Sequence, residues 1–72
     1  MSIKIEDIRA FSDEEIRAQL DEAREELMNL RFQQSTGELL DTSRLGQTRR
    51  LIARCLTVLK EREQAAAMEG EA

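Results

Sequence analysis

Apolar residues recur along this chain at helical spacing. Ile16, Leu20, Ala23, Leu27 and Leu30 are separated by four, three, four and three positions, which places them on one stripe of an α-helix turning once in about 3.6 residues. After a break, a second stripe follows through Leu45, Thr48, Ile52, Cys55 or Leu56, and Leu59. The pattern predicts two long helices, each with one apolar seam.

Boundary signals agree with the periodicity. Ser12 suits an N-cap, Glu15 stands three residues later where a capping box needs it, and Phe11 before the cap is placed to pack on Ile16 as a hydrophobic staple. Asp13, Glu14 and Glu15 complement the positive end of the helix dipole. The first long helix is therefore expected to begin at Asp13. Gly37 is its natural stop, because glycine tolerates the left-handed conformation that ends a helix. Asp41, Thr42 or Ser43 would cap the second. Ahead of both, Ile3, Ile5 and Ile8 suggest a short helical turn folded against the main body, while the alternation of Ile3 and Ile5 would also suit a strand.

Two helices joined by a short connection run antiparallel. One register then pairs Leu30 with Leu45, Leu27 with Thr48, Ala23 with Ile52, Leu20 with Cys55 and Ile16 with Leu59. The expected fold is all-α: an antiparallel two-helix hairpin with a short N-terminal helical turn, formed by residues 1–63. Residues 64–72, "QAAAMEGEA", carry no seam and are expected to form a frayed or disordered acidic tail.

Composition limits what such a hairpin can do. Seventy-two residues allow one small domain with a modest core, the kind that leans on a partner for stability. A single cysteine and no histidine exclude a disulfide framework and argue against a His/Cys metal site, so no cofactor is expected. Cys55 falls in the seam as a small apolar filler, with no histidine to act as its base. There is no glycine-rich phosphate loop either, so an enzyme and a small-molecule substrate are not expected. No apolar run approaches the roughly 18 residues of a membrane span, and a soluble cytoplasmic protein is anticipated.

Charge changes the picture more. The net charge is −4, yet its distribution is uneven. Residues 1–30 hold four basic and nine acidic side chains, residues 31–62 seven basic and three acidic, and residues 63–72 three acids. From Thr42 to Lys60 there is no Asp or Glu, while Arg44, Arg49, Arg50, Arg54 and Lys60 all occur. A solvated helix face usually mixes signs. Stepping about 100° per residue from Ile52, Arg49 and Lys60 fall on one flank, followed by Ala53, Gly46, Thr57 and Arg50, with Arg54 further round. Small residues among basic ones let a nucleic-acid backbone come close while Arg and Lys reach phosphates; the bland alternative is an ordinary solvated face.

Met28 and Phe32 lie four apart on the first helix, well away from its seam. They suggest a partner surface or a stacking group for an unpaired base, unless the N-terminal segment folds over them. Leu51 and Val58 form a second off-seam pair with the same choice between partner contact and tolerated exposure.

The segments Asn29-Leu30-Arg31-Phe32-Gln33, Thr36-Gly37, Thr42-Ser43-Arg44, Arg49-Arg50 and Ile52-Ala53-Arg54, followed by Thr57-Val58-Leu59, resemble the bacterial large-subunit ribosomal protein L twenty-nine family over about residues 3–63. The resemblance implies a helical hairpin bound to the large ribosomal RNA near the peptide exit tunnel. It also implies ribosomal protein L twenty-three as a neighbour and nascent-chain factors nearby. By matching position it assigns RNA contact to Arg31, Phe32, Gln33, Thr42, Ser43, Arg44, Arg49, Arg50 and Arg54; the basic face adds Lys60. Gly46 and Leu51 stand where relatives often carry charge, so the middle of the second helix is less basic than the family implies and the glycine loosens its first turns. With a net charge of −4, local rather than total charge must carry RNA affinity. The competing class is a coiled-coil protein–protein module without RNA binding, which explains the seams but not the acid-free helix.

Overall fold

Ser12 opens the first long helix as expected, in extended conformation and with its Oγ accepting from the Glu15 amide at 3.2 Å. The computed structural model describes residues 4–39 and 41–71, with side chains as far as Met68. The described residues form three helices: α1 (Ile5–Arg9), α2 (Asp13–Thr36) and α3 (Ser43–Glu71). Ile5 is helical, which decides against a strand there; Ile3 lies outside the described residues.

Gly37 ends α2 at φ 79°, in the left-handed region. Its amide donates to the Gln34 carbonyl at 3.2 Å and the Glu38 amide to the Gln33 carbonyl at 2.8 Å, the paired bonds of a Schellman motif. The Ser35 hydroxyl also donates to the Phe32 carbonyl at 2.8 Å and the Thr36 hydroxyl to the Gln33 carbonyl at 3.1 Å. The Gln33 and Gln34 carbonyls, two of the four left over at the helix end, are thus satisfied. At the start of α3, Asp41 supplies the cap: its Oδ1 accepts from the Ser43 amide at 3.0 Å and from the Ser43 hydroxyl at 2.6 Å.

α2 and α3 pack along the expected seams into a rod of 54 × 19 × 16 Å. Ile16, Leu20, Ala23 and Leu30 are buried on α2, and Leu45, Thr48 and Cys55 on α3. Asp13 and Arg62 continue the same register one turn beyond Ile16 and Leu59, with Oδ1 and Nη1 2.6 Å apart. Between Cys55 and Leu56 the structure selects Cys55, which is fully buried, whereas Leu56 is 44% exposed.

α1 corrects one expectation. Val58, read from sequence as an off-seam residue facing a partner or solvent, is 1% exposed, and Leu51 is half-buried. The reason is that α1 packs on α3, not over the far end of α2. Ile8, fully buried, joins Ile16, Leu20, Cys55 and Val58 in one cluster, with Ile5, Phe11, Leu51, Ile52 and Leu59 packed around it. α3 consequently has two apolar stripes, one for each neighbour. Met28 and Phe32 stay uncovered at 70% and 67% exposure, so the N-terminal segment is not their cover.

Arg62 fastens this corner. Its Nη1 meets the Asp13 carboxylate, and its Nη2 donates to the Arg9 carbonyl at 2.9 Å and the Phe11 carbonyl at 2.7 Å. Three acceptors from the α1–α2 junction are held by one guanidinium on α3. Beyond it the backbone remains helical to Glu71, although every residue from Glu63 to Met68 is exposed. The run Ala65–Ala67 has the highest helix propensity available and needs no packing to favour that conformation.

Candidate nucleic-acid interface

Once α1 and α2 cover two sides of α3, one flank remains for solvent. It carries Arg49, Ala53, Leu56 and Lys60 at spacings of four, three and four, with Thr57 and Arg50 next around the helix. Arg49, Arg50 and Lys60 are exposed, and Arg54 is half-buried. The Thr57 hydroxyl is turned back onto the Ala53 carbonyl at 2.7 Å. Gly46 lies beneath Arg50: a Cβ built there would be 3.8 Å from the guanidinium. The flank is therefore low in relief between its cations.

Its cations are also available. Ion pairs among the described residues join Arg9 to Glu61 at 3.3 Å, Arg44 to Glu26 at 2.9 Å and Arg62 to Asp13 at 2.6 Å. None involves Arg49, Arg50 or Lys60. An exposed pair contributes little to stability, so leaving these three unpaired costs the fold almost nothing and leaves their charge to an external anion.

Arg44 belongs elsewhere. Its bond to Glu26 places it on the opposite flank, where Glu22, Glu25, Asn29, Leu30 and Gln33 share a shallow cleft with it. Thr42 and Ser43 sit at the closed end of the hairpin, and Ser43 is engaged in capping. Those two hydrogen bonds, from the Ser43 side chain first and then its amide, hold the Asp41 carboxyl below the usual carboxylate range, with Arg44 adding its charge. Arg31 is exposed, and Phe32 points away from α3 beside Met28. Of the ten residues expected to contact RNA, the fold thus gathers Arg49, Arg50, Arg54 and Lys60 on one helix and leaves Arg44 and Gln33 on the other side.

Two further cations join the basic side. Arg17, Arg24 and Arg31 are spaced seven apart on α2, which keeps them on one flank of that helix. Glu26 and Arg44 mark one side of the hairpin; the Arg17–Arg24–Arg31 flank of α2 lies away from Glu26, as the Arg49–Lys60 flank of α3 lies away from Arg44. In an antiparallel pair these two flanks fall on the same side. Arg17 and Arg24 escape notice in the sequence because α2 is acidic as a whole. Their seven-residue spacing is the signal that could have found them.

A slender helical hairpin with one basic, low-relief side and a seam closed within the molecule is the frame of a structural protein. The family model described as "Ribosomal L29 protein" matches residues 6–62, and the chain belongs to this family of ribosomal large-subunit components, which are structural and not enzymes. It is 47% identical over 70 residues to a protein of Symbiobacterium thermophilum, covering 97% of this chain and all of the relative. It is 45% identical over 62 residues to one of Desulfatibacillum aliphaticivorans, covering 86% of this chain and all of that relative. With one from Corynebacterium jeikeium the identity is 53% over 57 residues, covering 79% and 74%. Each relative is named "Large ribosomal subunit protein uL29".

Proposed function

We propose that this chain binds the large ribosomal RNA near the peptide exit tunnel, through the side of the hairpin that carries Arg49, Arg50, Arg54 and Lys60. The acid-free flank of α3, where Arg49, Arg50 and Lys60 are exposed and join no ion pair among the described residues, is the observation that carries this reading. Arg17, Arg24 and Arg31 extend it across α2, and Phe32 with Met28 borders it. Thr42, Ser43 and the α3 N-terminus lie at the closed end; Arg44 and Gln33 serve a contact on the other side. Ribosomal protein L twenty-three is the proposed protein neighbour, and nascent-chain factors the transient ones. A coiled-coil module would need a seam to offer a partner, and Ile16, Leu20, Ala23, Leu30, Leu45 and Cys55 are already buried within the molecule.

Salt dependence tests the reading. Phosphate contacts release counterions, so binding of the free protein to ribosomal RNA fragments should weaken steeply with salt. Replacing Arg49 and Arg50 with glutamine should lower affinity and flatten the slope by about 0.7–0.9 per lost contact. Replacing Glu22 and Glu25 with glutamine should leave the slope nearly unchanged. A double Arg49, Arg50 variant that binds like the parent at every salt concentration would reduce the flank to a solvated face.

A further inference from the structure

Met28 and Phe32 are neighbouring large apolar side chains that neither the seams nor the basic flank uses; the exposed Met68 stands alone, far along α3. They project from α2 one turn apart, 70% and 67% exposed, although an exposed phenylalanine gains nothing in water. We infer that they form a stacking step for one unpaired RNA base, an inference that rests on the RNA-binding reading and specifies what one part of that surface takes.

Four observations favour a base over a protein. The patch is two side chains wide, whereas a specific protein partner or a second copy ordinarily covers about 800 Å² on each side. From Leu27 to Gly37 the chain has no Asp or Glu, and Arg31 adjoins Phe32, so a phosphate backbone can approach the Phe32 end of the patch, while Glu25, one turn before Met28, bounds the other end. The hydroxyls of Ser35 and Thr36, one turn further on, are turned inward onto backbone carbonyls, leaving the ring face without competing polar groups there. Asn29, one turn before Phe32 and at the edge of the Arg44 cleft, is exposed, and its side-chain amide makes no hydrogen bond to another described residue. Its amide can donate to and accept from a base edge, while Phe32 and Met28 receive the base face.

The test uses whole large subunits from cells in which this protein's only copy is the parent, Phe32→Leu or Phe32→Tyr, together with subunits lacking the protein. Acylation of ribosomal RNA 2′-hydroxyls reports which nucleotides are immobilised. One or two neighbouring unpaired nucleotides should be unreactive with the parent, several-fold more reactive with Phe32→Leu, and unreactive again with Phe32→Tyr, because leucine keeps the bulk and loses the π face. Equal reactivity with all three chains, or an equal rise with leucine and tyrosine, overturns the stacking step. If omitting the protein changes no nucleotide, the RNA-binding reading fails and takes the step with it. If omission alters nucleotides that Phe32→Leu leaves alone, only the step is lost. Because Phe32 is exposed, its replacement leaves the fold in place.

Discussion

Ile8→Ala isolates the contribution of α1. Ile8 is fully buried against Cys55 and Val58, and truncating a buried isoleucine to alanine costs about 2–5 kcal/mol. A five-residue helix has no stability of its own, so the loss saturates once α1 lifts away, and the lower part of the range, about 2–3 kcal/mol, is expected. Since about 1.4 kcal/mol is tenfold in an equilibrium, the lifted state should become roughly 30–140 times more populated. Cys55 reports it directly. Burial pushes its thiol above the ordinary value, and a neutral alkylating reagent reaches it only when the cover opens. Labelling of the free protein at low temperature should accelerate by that factor while far-ultraviolet dichroism shows the hairpin still helical. Met28→Ala, at an exposed position, should label like the parent. An Ile8→Ala protein that keeps its helicity and labels at the parent's rate would show that α1 is not the lid over Cys55.

Gly46→Ala should raise the thermal midpoint by several degrees, because helical glycine costs about 0.5–1 kcal/mol and the new methyl meets only the Arg50 guanidinium; Gly37→Ala should lower it, since φ is 79° there and the left-handed conformation costs an L-residue about 1–2 kcal/mol. The lowered pKa of Asp41 contributes stability that is complete above its unfolded value near 3.8 and is lost as pH falls through the folded value, so the midpoints of the parent and Asp41→Asn should converge on acidification below that value. Residues 64–68 are exposed throughout, so we propose that they are a helical but loosely held tail: their amides should exchange like those of an open helix end, and deleting residues 64–72 should leave the midpoint nearly unchanged.

Both long helices were legible from residues alone because each signal was local. Ser12, Gly37 and the four–three spacing of the seams act within one or two turns. The α1 cover was not legible in the same way. Val58 and Leu51 look like strays beside the main seam, and only their combination with Cys55 forms a second stripe wide enough for Ile8. A five-residue helix gives no periodicity to say which flank it takes. The basic side was read from α3 alone, because the acids of α2 hide Arg17, Arg24 and Arg31 in any running charge. Arg44 counted with the other α3 cations in sequence, yet its long side chain reaches Glu26 on the opposite flank. Charge along a chain adds up by position, while charge on a hairpin adds up by side.

Arg62 bears on how the protein is made. Its three acceptors lie at Arg9, Phe11 and Asp13, so the α1–α2 junction waits for a residue far along α3. During synthesis α1 and α2 emerge first, with Ile8, Ile16 and Leu20 facing nothing, and α3 must follow almost in full before the corner can close. Neither α1 with α2 nor α3 by itself is a finished domain, because the corner draws on all three helices. Folding is therefore tied to the appearance of Arg62 and gains little from the segments made before it.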